Sequence, residues 1–243
     1  MMLTLEKIRE VIDSVIDSDK LLYDLHVTTP PDYLIRQRHQ DTLRPEVPDE
    51  YRKTYHVSDQ TKSIIVWSIF TKVAGDYFFQ SGYLYPILDK LNDKFNKDNI
   101  FFDWDDYNLN RKQFAVRSGA GKISKPSLVF SNKFGLNAKF ELLFTTGVFD
   151  QYTINSDVLK YENCIDCDAP CQTNCPEKCR MDYELIDWEK CSNFVNQKHL
   201  FENPNLMCRT CIESCPYSND ILTEIDSKYG KYIHPNLEHL NHG

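Results

Sequence analysis

A chain of 243 residues, 41% hydrophobic and 26% charged, holds enough apolar material for one large core or two smaller ones. Its formal charge of −8 excludes a surface that coats nucleic acid indiscriminately. No apolar run approaches the ~18 residues that span a bilayer. The opening stretch, MMLTLEKIREVIDSVIDSDK, mixes acids and bases with its apolar positions, which excludes a secretion leader and sets the expected location in the cytoplasm.

Leu5, Ile8, Val11, Ile12, Val15 and Ile16 recur at helical spacing and predict an amphipathic helix over 3–19. From there to about residue 60 the chain is rich in Pro, Asp, Arg and Tyr and reads as a wrapping loop with short helices. SIIVWSIF (63–70) is β-branched and aromatic, the composition of a buried strand. YLYPILDKLNDKF (83–95) reads as a helix with Pro86 in its first turn, where the missing N–H costs nothing. IFFDW (100–104) is a second strand, followed by a short helix over 109–117. SLVFS (127–131) and FELLFTTGVF (140–149) are strands joined by the turn NKFG. Strands alternating with helices to about residue 150 predict an α/β or α+β domain, and Trp67, Trp104 and Trp188 are expected to be core residues and not cofactor-stacking ones. Between Tyr107 and Phe140 stand Arg111, Lys112, Arg117, Lys122, Lys125, Lys133 and Lys139 without a single acid, which is either a solvated basic face or an anion site.

All nine cysteines lie at or beyond Cys164. In a reducing compartment, and with an odd count, metal ligation is a better reading than disulfides. The spacings are Cys164-x2-Cys167-x3-Cys171-x3-Cys175-Pro176 and Cys208-x2-Cys211-x3-Cys215-Pro216. In the bacterial ferredoxin run, C-x2-C-x2-C-x3-C-P, three thiolates hold one cubane and the cysteine before proline crosses to the other. Crossed ligation assigns Cys164, Cys167, Cys171 and Cys215 to one [4Fe–4S] cluster, and Cys175, Cys191, Cys208 and Cys211 to a second. Cys179 is left over. The one extra residue between Cys167 and Cys171 leaves open a ligand set in which Cys179 replaces a neighbour. Zinc held by C-x2-C pairs is the competing reading. Regular structure is expected to thin out in this segment, and HPNLEHLNHG (234–243) reads as a polar terminus. The expected organisation is a domain over 1–155 and a cluster domain over 156–243.

A strand, DWDDYNLNRKQFAVRSGAGKISKPSLVFSNKFG, a strand containing LLFTTGVF, and then two crossed cysteine groups resemble, in that order, the epoxyqueuosine reductase family. That family stands with the reductive dehalogenases among cobalamin-dependent iron–sulfur reductases. SIIVWSIF with DYFFQSGYLYPILDKL is similar to the family's strand and following helix, and IDWEKCSNFV resembles its LD-x-x-x-C segment, which supports Cys191 as a ligand. The resemblance covers roughly residues 35–220. It implies a nitroreductase-like α/β (α+β) domain followed by a ferredoxin-like double [4Fe–4S] domain. It also implies a cobalamin fed by the clusters, and reductive deoxygenation of epoxyqueuosine in tRNA or a related substrate. The family's motif positions fall on Asp105 (or Asp103) at a strand end, on Arg117, Gly119, Gly121 and Lys125 in the loop, on Gly135 in the turn, and on Thr145 or Thr146; with Asn110 or Arg111 at the place of the family's proton-donating acid, Asp105, Asp106 and Tyr107 are the substitute donors, and Asp105 is the expected catalytic residue. Together with Lys122, the loop residues are the expected cofactor contacts. The implied partners are a reduced flavodoxin- or ferredoxin-type electron donor and tRNA, with no membrane. The chain departs from the family in placing Asn110 or Arg111 where an acid precedes the loop, and Ser124-Lys125 where the family has Gly-Lys. An electron-transfer or corrinoid-reactivating protein without substrate turnover is the alternative reading.

Overall fold

The computed structural model describes residues 2–16, 21–30, 60–71, 84–104, 111–155, 159–179, 186–197 and 208–229. The remainder of the expected wrapping loop, the DYFFQSGY stretch, Asp105, Asn110, the Trp188 side chain and the tail at 234–243 lie outside these residues.

A two-residue strand β1 (Met2–Leu3) leads into helix α1 (Leu5–Val15), whose first turn is capped by Thr4 Oγ1 accepting from Lys7 N at 3.3 Å. Ile8, Val11 and Ile12 form its buried stripe. Strand β2 (Tyr23–Thr28) follows, inside the stretch whose composition predicts a loop. The alternation that makes it a strand is there to read: Tyr23, Leu25 and Val27 face the core while Asp24 and His26 face outward. The Pro- and Asp-rich residues around it mask that period.

Strand β3 (Ser63–Phe70) is buried along its whole length. Helix α2 (Tyr85–Phe95) has Pro86 in its first turn, and β4 (Phe102–Trp104) and α3 (Arg111–Arg117) come next. Two short strands, β5 (Gly121–Ile123) and β6 (Val129–Ser131), pair with each other. FELLFTTGVF divides into β7 (Ala138–Thr145) and β8 (Val148–Phe149), with Gly147 N donating to Thr145 Oγ1 at 3.0 Å in the bend between them. The central sheet runs β2-β3-β7-β4 and is antiparallel throughout. It is therefore an α+β sheet.

The apolar run in β3 has a topological cause. Ile65, Trp67 and Ile69 pack with α1 and α2 on one face, while Ile64 and Val66 pack with Phe114 and Ala115 of α3 on the other. A central strand covered on both sides shows no polar alternation. Trp67 is fully buried, as expected, and Trp104 packs at the edge of the same core.

Beyond residue 159 the described residues include four helices, more regular structure than cysteine spacing alone predicts: α4 (Pro170–Thr173), α5 (Trp188–Gln197), α6 (Thr210–Glu213) and α7 (Pro216–Tyr229). The reason is apolar packing. Ile221, Leu222 and Ile225 of α7 lie against Phe70 and Phe134 of the sheet region, so this segment is held by a hydrophobic contact. Among the described residues no helix is long and apolar enough to cross a membrane.

Candidate metal centre

Residues 170–175 and 210–215 of the two cysteine groups have the same hydrogen-bonded backbone, each residue matched by the one 40 positions further on. Gln172 N donates to Ala169 O at 2.8 Å, and Ile212 N to Arg209 O at 2.8 Å. Asn174 N reaches Pro170 O at 3.0 Å, and Ser214 N reaches Thr210 O at 2.9 Å. Cys175 N bonds Gln172 O at 3.2 Å, and Cys215 N bonds Ile212 O at 3.1 Å. Each half is thus one short helix bearing a cysteine at its second position, Cys171 or Cys211, followed by a turn into Cys-Pro. The halves meet where Asn174 Nδ2 donates to Ser214 Oγ at 3.2 Å, each residue preceding the cysteine before proline. The extra residue between Cys167 and Cys171 is absorbed at Ala169, which takes a left-handed φ of 53°, whereas its counterpart Arg209 sits at −116°.

Cys164, Cys171, Cys175, Cys179, Cys211 and Cys215 are buried, and Cys167, Cys191 and Cys208 are half-buried. Burial pushes the Cys171 thiol up to about 12, and the neighbouring Cys215, Cys164, Cys211 and Cys167 push in the same direction. Burial likewise raises Cys215, with Cys164 and Cys167 contributing. The backbone N–H groups of Ser218 and Tyr217, in the first turn of α7, donate to the Cys215 sulfur and oppose that rise. A thiolate at a helix start is stabilised by these dipoles, and Pro216 fixes the helix start without losing a needed N–H. Cys215, Cys164, Cys211 and Cys167 are thus the thiols that act electrostatically on Cys171.

In the second set, Cys208 Sγ lies 3.5 Å from Thr210 Oγ1 at the start of α6, the helix that carries Cys211. Cys191 is linked through the backbone to Cys179, outside that set: its N–H donates to Asp187 O at 3.1 Å, and Asp187 N donates to Cys179 O at 2.8 Å. The Asp187 carboxylate caps α5 by accepting from Lys190 N at 3.1 Å. Among the described residues no three His, Cys, Asp or Glu side chains converge on a single-ion site. A cubane spreads its thiolates over four irons and does not require that convergence.

Three joints fasten this module to the sheet, and two of them rest on residues that sequence reasoning misses. Ile123 N donates to Leu159 O at 2.7 Å and Tyr161 N to Ile123 O at 2.8 Å, so β5 carries the strand-like lead into Cys164. Phe130 stacks on Tyr161 at 3.9 Å between centroids, and Tyr217 meets Tyr161 edge-on. Ser218 Oγ, fully buried, accepts from Leu136 N at 2.9 Å and Asn137 Nδ2 at 3.2 Å, while Arg209 bonds Asn137 Oδ1. Gly135 permits this approach, since a Cβ there would stand 2.8 Å from Ser218 Oγ, and its φ is 57°. A serine two residues after Cys-Pro carries no signal in the sequence. Only its depth reveals it.

The expected cofactor residues are found in internal bonds. Arg117 Nε donates to Thr29 O at 3.2 Å, and Gly119 O accepts from Asn132 Nδ2 at 3.0 Å. A side chain at Gly121 would meet the Phe130 carbonyl and stand 2.6 Å from Val129 Cγ1, so this glycine permits the β5–β6 approach. Lys122 pairs with Glu162 at 2.7 Å, and Lys125 Nζ donates to Cys167 O at 2.9 Å and Ile165 O at 3.4 Å, holding the loop between the first two cysteines. The remaining bases of the acid-free stretch are engaged too. Arg111 and Lys139 flank the fully buried Glu141 at 3.2 and 2.7 Å, Lys112 bonds Ser127 O, and Lys133 donates to Tyr23 O at 2.9 Å. Asp103 is exposed and accepts from Trp104 N at 2.8 Å.

This fold is shared with two groups of solved oxidoreductases, the epoxyqueuosine reductases and the reductive dehalogenases. An epoxyqueuosine reductase solved with a tRNA-Tyr epoxyqueuosine-modified stem loop is 18% identical at a TM-score of 0.64, over 97% of this chain and 69% of that one. The enzyme from Bacillus subtilis is 17% identical at 0.61, over 88% and 66%. A reductive dehalogenase whose structure was used to argue B12-dependent dehalogenation is 12% identical at 0.52, over 89% and 34%. The chain thus spans about two thirds of the length of these reductases and a third of the dehalogenase. No protein-family model and no curated protein matches the sequence.

Proposed function

We propose that the chain is an iron–sulfur oxidoreductase of the epoxyqueuosine reductase kind, with a nitroreductase-like domain over 1–155 and a ferredoxin-like module of two [4Fe–4S] clusters over 156–243. The observation that carries the reading is the doubled backbone pattern, ending each time in Cys-Pro. In this reading Cys164, Cys167, Cys171 and Cys215 hold one cluster and Cys175, Cys191, Cys208 and Cys211 the other. When bound, two such clusters relay single electrons at low potential. The chain's own residues place them. Tyr217 and Ser218 stabilise the Cys215 thiolate, Lys125 fixes the Ile165–Cys167 loop, and Phe130, Tyr161 and Tyr217 form a partly buried aromatic wall on the side facing the sheet. Anaerobically purified protein is expected to contain about eight irons and eight sulfides per chain; zinc in their place overturns the reading.

The acceptor we propose is a cobalamin in the N-terminal domain, with an epoxyqueuosine-type substrate in tRNA, a flavodoxin- or ferredoxin-type donor, and Asp105 as the acid. Likeness of fold supports this part. Stoichiometric retention of added cobalamin by the iron-loaded protein, followed by turnover of epoxyqueuosine-containing tRNA, tests it. A specific observation favours the second reading, electron transfer without turnover: Arg117, Lys122 and Lys125 are bonded to protein, and the space beside Gly119 and Gly121 is filled by Thr153 and the Phe130 carbonyl. Iron without cobalamin retention decides for that reading.

A further inference from the structure

We infer that Cys175 and Cys179 form a dithiol–disulfide site that reacts with peroxide and preserves a ligand of the second cysteine half. The consequence for the ligand rests on the two-cluster reading; the geometry does not. The two sulfurs lie 3.4 Å apart and both residues are buried. A disulfide places them at about 2.04 Å, so closure needs about 1.4 Å, within reach of rotation about the two Cα–Cβ bonds. The backbone holds them in place. Lys178 N donates to Cys175 O at 3.1 Å, Lys178 takes a left-handed φ of 49°, and the Cys179 carbonyl is fixed by Asp187 N at 2.8 Å.

Cys179 stands outside the doubled pattern. The position 40 residues on is Asn219, so the other half has no equivalent thiol. A cubane takes one thiolate on each of four separated irons, so two sulfurs in contact do not serve two of its corners. Cys179 is thus a partner for Cys175 and not a ninth ligand.

The chemistry balances with hydrogen peroxide as the oxidant. Peroxide converts the Cys175 thiolate, the more exposed of the two, to a sulfenic acid with loss of hydroxide. The Cys179 thiol then attacks the sulfenic sulfur and its hydroxyl leaves as water, so two thiols and one peroxide give one disulfide and two waters. Without Cys179 the sulfenic acid proceeds to sulfinic acid, which dithiothreitol does not reverse. The disulfide form is reducible, so Cys175 can return to service.

The test uses the full chain purified anaerobically with its iron, exposed to hydrogen peroxide and then alkylated. Trypsin cuts after Lys178, so Cys175 and Cys179 fall on separate peptides unless linked. A linked mass that disappears with dithiothreitol is expected. Cys179→Ser should carry the wild-type iron content before peroxide. After peroxide, dithiothreitol and resupply of iron and sulfide, the wild type should regain all its iron and the variant about half. Absence of the linked peptide, or a Cys179→Ser protein that already lacks half its iron, overturns the inference. Wild-type protein that never contains iron overturns the cluster reading instead, and the linked peptide still decides this one.

Discussion

Ser218→Ala removes one hydroxyl from the first turns of α7, far along the chain from the sheet it serves. The hydroxyl oxygen is the acceptor for Leu136 N at 2.9 Å and Asn137 Nδ2 at 3.2 Å, and Ser218 has no exposed surface. Alanine cannot accept, and water has no route to replace it. Each buried donor left unsatisfied costs about 1–3 kcal/mol. Two of them, with Asn137 still held by Arg209, set the loss at about 2–4 kcal/mol. Urea unfolding of the reduced, metal-free chain reads this directly, free of stabilisation by a bound metal. With an m-value of about 3 kcal/mol/M the midpoint should fall by roughly 1 M. Ser227→Ala is the control: it lies on the same helix, but its hydroxyl is exposed and bonds only Glu224 O, so a change under about 0.5 kcal/mol is expected. If the Ser218 variant unfolds with the control, the joint between the cysteine module and the sheet does not carry the weight assigned to it.

Burial alone would raise the Asp24 carboxyl, but the hydrogen bond and charge of His26, the charge of Lys133 and the Leu25 N–H outweigh it and hold the group at about 2, against an ordinary 3.8. A depressed carboxylate contributes stability above its unfolded value and loses it as pH falls through the folded one. The difference in unfolding free energy between wild type and Asp24→Asn should therefore shrink as pH falls from about 4 to about 2, by about 1–2 kcal/mol after allowance for its partial exposure. A difference unchanged across that window refutes the assignment. Gly121→Ala should lower the melting temperature of the metal-free chain, a loss of about 1–3 kcal/mol from overpacking β5 against β6; a variant of wild-type stability that fails only to hold a ligand would show that the glycine serves the ligand instead. Lys125→Met should speed amide exchange at Asp166 and Asp168 and cost about 1–2 kcal/mol, because two loop carbonyls lose a charged donor. Exchange at wild-type rates would place the loop's order elsewhere.

Spacing along the chain determined the parts of this protein whose chemistry is local. The duplicate Cys-x3-Cys-Pro interval appears as a duplicate backbone, and a run such as SIIVWSIF can bury only as an inner strand, so both were legible in advance. The strand at Tyr23–Thr28 was hidden because its period of two is short and stands beside Pro- and Asp-rich residues, and its hydrogen-bonded partner, β3, begins 35 residues after Thr28. Tertiary structure alone decided the use of the basic stretch. A lysine in sequence is only a charge, and whether it meets a ligand or the protein's own carbonyls depends on what the fold sets within about 3 Å of it. The same holds for Ser218 and Gly135, whose neighbours lie some 80 residues apart in the chain, since burial and contact are properties of the folded surface and not of the order of residues.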